Sequence, residues 1–504
     1  MTAAVTMPAT GTGVSAIGSY CLVSGNIMPV DPTAPNIEFQ LALPTKWNSK
    51  IMMFGGGGFD GSIPPVTENT PSGSITTPVP LGRGYATFGS DSGHQITSDG
   101  GGGFSTNIEA YNNFMGDALK KTHDTALYLV DYFYGTKPTY AYFAGGSTGG
   151  REALTVVQRW PDDWNGAIVL YPAWDFTALS IGQLNYAEAF AAPDAFLDTA
   201  KRTLLFNAVM ATCDSLDGVV DGIISNQQAC NAAFNPSTAT YMGTAVRCPG
   251  GADTGDTCLS DAQITALNTA STPLQFNFQL ASGETSYPMY NVYGADLGIS
   301  NPNPYEAIIT ELALGTVQPA FPVTSAMMFD AQISDSFVRY TVAGNASFDS
   351  FSLNPASPGA YASRISYLSS LDAIDENLTP FQSKGGKVIM AHGTVDQTVS
   401  PRATEYYFQK LQANMGVDAV NSFLQFSEIP GLQHAFSTVF NPAWDNLTAL
   451  ENWVENGTPP TNQVVTDTVG VPGRTRPLCL YPSFPRYNGT GDVNASTSFS
   501  CSTT

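Results

Sequence analysis

The segment from Thr139 to Trp160 restricts the fold of this chain more than any other stretch. An apolar run, TYAYFAGG, leads directly into Ser147 in the frame Gly-x-Ser-x-Gly, and the residues that follow, TGGREALTVVQRW, have the pattern of a helix. Gly145 and Gly149 leave room for a strained turn that would hold the serine side chain above the end of a strand. The segment therefore predicts a buried strand, a sharp turn and a helix.

Strand and helix patterns alternate over much of the chain. The helix pattern DALKKTHDTALYLVDYFYG at 117–135 ends at Gly135, a residue suited to a helix C-terminus, and a second helix pattern, RATEYYFQKLQANMG, lies at 402–416. This alternation predicts an α/β fold in which helices pack on an open sheet. The other predicted strands are IEFQLALP, KIMMFGGGG, YATFGSDSG, GAIVLYPAW, GGKVIMAHG and SFLQFSEIPG.

The alternation stops after residue 174 and returns near residue 385. The intervening residues show no regular order of strands and helices, and an insertion of that size into an α/β sheet predicts a second domain. We therefore expect residues 1–174 and 375–504 to form the core and residues 175–374 to form an inserted domain. Because the insertion follows the β-α-β segment of Ser147, it is placed to cover the carboxyl ends of the strands as a lid.

The charge balance argues against two classes of partner. The 504 residues include 20 Lys and Arg against 42 Asp and Glu, a net charge of -22. Binding to nucleic acid or to an anionic membrane needs clustered cations, and the sequence has no basic run. No apolar stretch approaches about eighteen residues, so we expect no membrane span.

The cysteines indicate an oxidising compartment. Six of the seven form short local pairs in loop-like surroundings, without the C-x-x-C motif or His/Cys cluster of zinc or redox sites. Disulfides and secretion, extracellular or periplasmic, are the better interpretation. The start, MTAAVTMPATGTGVSAIG, lacks the features of a signal peptide, so we expect any leader to be absent from this chain. The pairs are Cys213/Cys230, Cys248/Cys258 and Cys479/Cys501, and Cys21 is left over.

Ser147 needs a base, and a carboxylate that orients the base, to act as a nucleophile. The sequence has four histidines, and the order Ser, acid, His expected of an α/β hydrolase removes the two that precede Ser147. His392 ends a predicted strand only four residues before Asp396, which leaves no strand for an acid ahead of it. We therefore predict His434, in the loop PGLQHAF, as the base. Asp396 is the predicted acid, with a solvated turn residue as the alternative.

A serine hydrolase also needs backbone N–H groups directed at the negative charge that develops on the substrate oxygen. The N–H of Thr148, directly after the serine, is one candidate. The loop GGGGFDG at 55–61 follows a predicted strand, and its glycines allow close approach of the backbone. We name Gly57 and Gly58 as further candidates, with a flexible glycine loop as the alternative.

Three carboxylates lie within eight residues in the segment CDSLDGVVDGIISNQQAC, at Asp214, Asp217 and Asp221. Carboxylates this close repel one another unless a hard cation gathers them, and calcium accepts carboxylate and carbonyl oxygens. The spacing differs from that of an EF-hand. It leaves open both a calcium site and an acidic surface loop closed by a disulfide.

Five motifs together resemble the tannase/feruloyl esterase family, which also includes mono(2-hydroxyethyl) terephthalate hydrolase. They occur in the family's order and span nearly the whole chain. The resemblance implies an α/β-hydrolase core with a large inserted lid domain, a triad of Ser147, Asp396 and His434, and hydrolysis of esters of aromatic acids. The motifs are SDSGHQ, GGSTGGREAL, HGTVDQTVSP, IPGLQHAF and GRTRPLCLYPSFPRYNG.

The resemblance also bears on the calcium loop and on the cysteines. The family's lid carries a similar loop, which implies a structural Ca²⁺ held by the three aspartates. The three cysteine pairs match the family, and Cys21 resembles a family cysteine whose partner is not visible here, so we expect a free thiol. The full implied ligand set is Asp214, Asp217 and Asp221 with the carbonyls of Val219 and Ile223.

The sequence departs from the family on either side of the predicted triad. In the family a cysteine usually precedes the catalytic serine and another follows the catalytic histidine, and a disulfide joins the two loops. Gly146 and Ala435 stand at these positions here. The bridge performs none of the chemistry, so we still expect catalysis, although a disulfide typically stabilises by a few kcal/mol.

Three functional hypotheses remain. The first is a serine esterase that cleaves feruloyl, galloyl or related aryl esters through an acyl-enzyme. The second is a hydrolase of terephthalate half-esters or of other synthetic or aliphatic esters, and the third is a non-catalytic binding protein on the same fold. Specificity is expected in the inserted segment, where Arg339 could pair with a substrate carboxylate or with a nearby Asp.

Overall fold

The computed structural model describes residues 3–11, 16–96, 101–299 and 313–504. Its strands, numbered along the chain, are β1 (Ala3–Met7), β2 (Tyr20–Ile27), β3 (Ile37–Pro44), β4 (Lys50–Phe54), β5 (Ala86–Ser90), β6 (Tyr140–Gly146), β7 (Gly166–Leu170), β8 (Thr240–Tyr241), β9 (Thr244–Ala245), β10 (Leu274–Gln275), β11 (Ser286–Tyr287), β12 (Lys387–Gly393), β13 (Leu424–Ile429), β14 (Pro442–Ala443), β15 (Val464–Asp467), β16 (Thr475–Pro477), β17 (Phe484–Tyr487) and β18 (Phe499–Ser502).

The described α-helices are numbered in the same way. They are α1 (Ile108–Asn112), α2 (Ala118–Tyr134), α3 (Thr148–Arg159), α4 (Phe176–Ala191), α5 (Thr199–Cys213), α6 (Gln227–Ala233), α7 (Asp261–Ser271), α8 (Phe329–Ser336), α9 (Ala362–Ser369), α10 (Thr379–Ser383), α11 (Pro401–Met415), α12 (Val417–Asn421) and α13 (Asn446–Asn456).

Nine of the described strands form one mixed sheet in the order β1-β2-β3-β5-β4-β6-β7-β12-β13. In this order, every neighbouring pair from β5 onward is parallel. Strands β1, β2 and β3 extend the sheet by antiparallel pairing. Parallel strands of one sheet end at the same edge, so β6, β12 and β13 place their carboxyl ends side by side. The predicted strand segments are all present, and the α/β fold is confirmed.

The central strands are apolar on both faces because helices cover both sides of the sheet. On one face Phe143 of β6 belongs to a cluster that includes Val130 of α2. On the other face Tyr142 belongs to a cluster that includes Leu450 and Trp453 of α13. This burial on both sides holds β6 within the core, directly before the turn at Ser147.

The inserted segment 175–374 contributes no described strand to the central sheet. Its short strands form two separate hairpins, β8-β9 and β10-β11. Helix α4 is buried along most of its length, and its apolar residues join the same cluster as those on one face of the sheet. The segment therefore shares a continuous apolar core with the sheet, and its division from residues 1–174 and 375–504 as a separate domain stays a prediction.

The structure contains disulfides at the three predicted pairs. Cys213–Cys230 joins α5 to α6, Cys248–Cys258 closes a short loop, and Cys479–Cys501 ties the chain before β17 to β18. Cys21, in β2, carries a free thiol. None of the described helices combines the length and the hydropathy that crossing a bilayer requires.

Candidate active site

Ser147 lies in the turn between β6 and α3, with φ 59° and ψ −125°. A positive φ is uncommon for a residue other than glycine, so the turn is strained and must be held by its surroundings. The Ser147 N–H donates to the carbonyl of Leu170 at 3.1 Å, and the Ser147 carbonyl accepts from the N–H of Ala173 at 3.0 Å. The end of β7 and the residues after it therefore hold the serine backbone from both sides.

The two outer glycines of the frame are required by contacts with the backbone. A Cβ on Gly145 would lie 2.2 Å from the carbonyl oxygen of Gly149, and a Cβ on Gly149 would lie 2.8 Å from the carbonyl oxygen of Gly56. Backbone atoms cannot move aside as the end of a flexible side chain can. The turn closes only because both positions lack a side chain, as the sequence predicted.

The structure brings Ser147, His434 and Asp396 together. The Ser147 Oγ lies 2.9 Å from His434 Nε2, and His434 Nδ1 lies 2.7 Å from Asp396 Oδ2. In the tautomer that satisfies both contacts, Nδ1–H donates to the carboxylate and Nε2 accepts from the serine hydroxyl. The three side chains come from the ends of β6, β12 and β13 and have the geometry of a nucleophile, a base and an orienting acid.

Asp396 is fully buried, and its carboxylate is well supplied with donors. Its Oδ1 accepts from the backbone N–H groups of Thr398 and Val399, both at 2.9 Å. Burial alone would raise the pKa of Asp396, but the adjacent His434 and His392 outweigh burial and hold that pKa well below its usual range. Asp396 is therefore ionised at neutral pH and can stabilise a protonated His434.

His392 is a site residue that the sequence prediction missed. The prediction placed it at the end of a strand and rejected it as the base, and it lies there, fully buried at the end of β12. Its Nε2 is 3.2 Å from Asp396 Oδ2 and 3.0 Å from the carbonyl oxygen of Val399, and its Nδ1 is 2.8 Å from Thr404 Oγ1. Its spacing of four residues from the predicted acid was the available signal.

The glycine loop after β4 packs against the turn that carries Ser147. The N–H of Gly149 donates to the carbonyl of Gly56 at 3.0 Å, and the Thr148 hydroxyl donates to the carbonyl of Gly58. Within the ranges that the structure describes, the backbone N–H groups of Thr148, Gly57 and Gly58 donate to no protein acceptor. The three predicted donors therefore belong to two segments that contact each other, and none of them is used in a described backbone hydrogen bond.

A buried pair of carboxyl groups, Asp60 and Glu152, contacts the glycine loop. The sequence did not predict this pair. Glu152 Oε2 accepts the N–H of Gly56 at 3.0 Å, and a Cβ on Gly56 would lie 2.3 Å from Asp60 Oδ2. Among the described residues no donor reaches either carboxyl oxygen of Asp60. Burial and the charge of Glu152 raise the pKa of Asp60 well above its ordinary value, and burial also raises the pKa of Glu152, so we expect the pair to hold a proton near neutral pH.

The acidic loop after α5 is organised by hydrogen bonds from its own backbone. Asp214 accepts from the N–H of Gly222 at 3.1 Å, Asp217 from that of Val219 at 3.2 Å, and Asp221 from that of Ile223 at 3.0 Å. The Oδ2 of Asp221 forms an ion pair with Arg476.

Among the described residues, one trio of His, Cys, Asp or Glu has ligand atoms close enough together to hold a metal ion, and it does not include the loop aspartates. That trio is His123, Asp124 and Asp163, whose ligand atoms lie within 4.8 Å of one another. The Lys120 ammonium contacts Asp124 at 2.6 Å and Asp163 at 3.0 Å. One protein cation therefore already offsets part of the charge of these two carboxylates.

Arg339 pairs with a nearby aspartate, which is one of the two alternatives that the sequence left open. Its Nη1 donates to Asp335 Oδ2 at 2.9 Å, and its Nε donates to the carbonyl of Ala346 at 2.8 Å. The guanidinium is thus used within the inserted segment.

Gly146 and Ala435, at the positions where the family usually has cysteines, lie next to Ser147 and His434.

We predict that the shared proton of Asp60 and Glu152 makes stability depend on pH. Above the ordinary Asp pKa of about 3.9 the unfolded Asp60 is ionised, whereas the folded carboxyl keeps its proton. Unfolding then releases a proton, so the free energy of unfolding falls by about 1.4 kcal/mol per pH unit while the folded pair stays protonated. Asp60→Asn keeps a donor toward Glu152 and should show a shallower fall between about pH 5 and pH 8 in urea unfolding.

The matched control is Asp256→Asn, which removes an exposed carboxylate and should follow the pH dependence of the parent protein. Equal pH slopes for the parent protein and Asp60→Asn would show that the pair does not carry a shared proton.

The comparisons with known proteins cover nearly the whole chain. The family model described as tannase and feruloyl esterase matches residues 21–502. An uncharacterized esterase of Agrobacterium fabrum is 38% identical over 492 residues, which cover 96% of this chain and 86% of that protein. The mono(2-hydroxyethyl) terephthalate hydrolase of Piscinibacter sakaiensis is 30% identical over 538 residues, which cover 98% of this chain and 86% of that protein.

Solved structures share the fold. The crystal structure of feruloyl esterase B from Aspergillus oryzae matches with a TM-score of 0.78 at 22% identity, over 100% of this chain and 97% of that chain. The tannin acyl hydrolase from Aspergillus niger matches with a TM-score of 0.67 at 21% identity, over 99% of this chain and 90% of that chain. The family match and the identity to its relatives give one conclusion: this chain belongs to the tannase and feruloyl esterase family.

Proposed function

We propose that this chain is a serine carboxylic-ester hydrolase that cleaves esters of aromatic acids through an acyl-enzyme. The observation that carries the proposal is the hydrogen-bonded series from Ser147 Oγ through His434 to the buried carboxylate of Asp396. A strained turn, an aligned base and an ionised acid at the ends of neighbouring strands have a use in nucleophilic catalysis. A non-catalytic binding protein would have no need of this alignment.

In the proposed acylation step, His434 Nε2 accepts the hydroxyl proton as Ser147 Oγ attacks the ester carbonyl carbon. Asp396 stabilises the imidazolium that forms. The tetrahedral intermediate then expels the alcohol oxygen, which takes the proton from His434, and the acyl group stays on Ser147. A water molecule, deprotonated by His434, attacks this acyl ester, and the acid leaves as the proton returns to Ser147.

The oxyanion is assigned to the backbone donors near the serine. The N–H of Thr148 and those of Gly57 and Gly58 donate to no acceptor in the described part of the chain, and the Thr148 hydroxyl ties the two segments together. Donors that are fixed before the reaction stabilise developing charge without reorganising. Loss of one such donor typically lowers kcat by about a hundredfold to a thousandfold.

The aromatic acid is proposed from the names of the relatives. Feruloyl esterase, tannase and mono(2-hydroxyethyl) terephthalate hydrolase all name esters of aromatic acids. A terephthalate half-ester, or another synthetic or aliphatic ester, is the second candidate, and the 30% identity to the terephthalate half-ester hydrolase supports it. A small-molecule ester is therefore the proposed partner, rather than a nucleic acid or a membrane.

We assign the role of a lid to residues 175–374, because they contact the loops that carry the acid and the base. Gln183 donates to the carbonyl of Thr398 at 3.0 Å, and Asn291 donates to that of Thr394 at 2.9 Å. Asp296 accepts from the hydroxyl of Thr438, four residues after His434, at 2.8 Å. A segment anchored on both loops can enclose a substrate above the strand ends and exclude water.

We also propose a structural calcium ion in the loop after α5. The Asp217 Oδ2 is buried, and no hydrogen-bond donor reaches it in the described residues. Burial raises the pKa of Asp217 to about 6, and the charge of Asp221 adds to this effect. These observations fit a divalent cation that would neutralise the carboxylates. The proposed ligands are Asp214, Asp217 and Asp221 with the carbonyls of Val219 and Ile223.

Secretion, extracellular or periplasmic, is part of the same proposal. Disulfides form and persist in oxidising compartments, and the described residues include three of them. Each closes a loop of fewer than about 25 residues, so together they fix local segments rather than joining distant ones.

We predict that the purified protein hydrolyses at least one aromatic ester and that the activity depends on the three aligned side chains. The panel is methyl ferulate, methyl gallate, mono(2-hydroxyethyl) terephthalate and a short aliphatic p-nitrophenyl ester, with acid release as the measurement. Ser147→Ala and His434→Ala should lower kcat by at least about a thousandfold, and Asp396→Asn by a comparable factor.

The matched control is Ser347→Ala, which changes an exposed serine of the inserted segment and should keep the parent activity. Activity in Ser147→Ala equal to that of the parent protein would contradict the catalytic assignment. Turnover of the aliphatic ester alone would contradict the aromatic substrate class and favour the second candidate.

We predict that calcium stabilises the protein without taking part in the chemistry. Adding Ca²⁺ to protein treated with a chelator should raise the Tm, because a ligand bound only by the folded state stabilises that state. Asp217→Asn should abolish most of this rise, whereas the exposed control Asp256→Asn should retain it. A Tm that does not respond to Ca²⁺ in the parent protein would contradict the site.

A further inference from the structure

The side chain of Tyr171 occupies the space between the residue before Ser147 and the imidazole of His434. Its ring centroid lies 5.1 Å from that of His434, with the two planes inclined by 65°, an edge-to-face arrangement. The same ring lies 6.5 Å from His392, at an angle of 71°. One aromatic side chain therefore packs against both histidines that contact Asp396.

Gly146 provides the room for this ring. A Cβ at Gly146 would lie 2.5 Å from Cε2, from Cζ and from the hydroxyl oxygen of Tyr171. Three atoms of the side chain would thus be closer than any van der Waals contact permits, so the ring could not keep its place beside a larger residue. The position of the Tyr171 ring therefore depends on the absence of a side chain at Gly146.

The backbone of Tyr171 is fixed independently of the ring. The residue follows β7 directly, and its N–H donates to the carbonyl of Ala391 in β12 at 2.8 Å. Its φ is 35°, so the chain turns sharply at this point and directs the side chain over the strand ends. The side chain is buried, which keeps the ring from moving toward solvent.

The two hydrogen bonds of His434 leave one motion of its imidazole ring that packing has to restrict. Bonds from Nδ1 to Asp396 and from Nε2 to Ser147 lie in the imidazole plane, so they resist displacement within that plane more than tilting out of it. The His434 backbone lies in a loop, where the next residue, Ala435, has φ 59°. A rigid ring set edge-to-face against the imidazole restricts the tilt.

We propose that Tyr171 is a positioning residue, which holds the His434 imidazole in line with Ser147, and that Gly146 is required to admit its ring. This inference rests on the proposed serine-esterase function. The positioning effect is attributed to the packing of the Tyr171 ring and not to its phenol hydroxyl. A displacement of a catalytic group by about 1 Å can cost about a hundredfold in rate, so the expected effect is on kcat.

The experiment compares Tyr171→Phe, Tyr171→Leu and Tyr171→Ala on an ester that the parent protein hydrolyses. Tyr171→Phe keeps the ring and should retain kcat within about threefold. Tyr171→Leu and Tyr171→Ala should lower kcat by about tenfold to a hundredfold, with KM changed by less than about threefold. Active-site titration with a serine-directed phosphonate corrects each kcat for the folded fraction.

A double-mutant cycle tests the link between the two positions and does not depend on any one variant. Gly146→Ala should lower kcat by about tenfold or more when Tyr171 is present, because the methyl group displaces the ring. In the Tyr171→Ala background the same substitution should have little further effect, since the ring is already gone. The two changes should therefore be strongly non-additive.

The outcomes separate this inference from the proposed function. If the parent protein hydrolyses no ester, the proposed function fails, and this inference fails with it. If the parent protein is active, a kcat in Tyr171→Leu and Tyr171→Ala within twofold of the parent value overturns the positioning role alone. Additive effects of Gly146→Ala and Tyr171→Ala overturn the packing link, and a loss in Tyr171→Phe equal to that in Tyr171→Ala overturns the assignment to the ring.

Discussion

The backbone of Ser147 is the constraint on which the rest of the site depends. A positive φ at a residue with a side chain is unfavourable. It persists here because the end of β7 and the residues after it hold the serine from both sides, while Gly145 and Gly149 let the backbones approach. The same close approach places the glycine loop after β4 beside the N-terminus of α3, through the contact of Gly149 with Gly56. One turn thus positions the nucleophile and its neighbouring backbone donors together.

Asp396 has the corresponding role for the other half of the site. A fully buried carboxylate is costly unless donors surround it, and here it receives two backbone N–H groups and contacts two histidines. The strand ends bring these groups together, since β12 carries His392 and Asp396 follows it, while His434 follows the adjacent β13. The sheet order therefore determines which side chains can meet, and Tyr171, after β7, fills the space between them.

The features that could be predicted from the sequence are those that depend on local residue patterns and on the order of residues along the chain. The strands and helices of the core follow from apolar periodicity, and the meeting of Ser147, Asp396 and His434 follows from their order and from the rule that parallel strands end at one edge. Contacts that depend on packing across the chain were not predictable. Tyr171 had the pattern of a buried strand residue, and the partnership of Asp60 with Glu152 joins two distant positions that no sequence motif links.

Covalent catalysis by Ser147 is tested most directly by the mass of the intact protein during turnover of an aromatic ester, quenched by acid within the first turnovers. Nucleophilic attack by Ser147 forms a covalent intermediate, so a species heavier by one acyl group should appear, and peptide mapping should place that group on Ser147. The Ser147→Ala variant should show no such species. Ester hydrolysis that proceeds without an acylated protein, or with the acyl group on another residue, would contradict the role of Ser147 as the nucleophile.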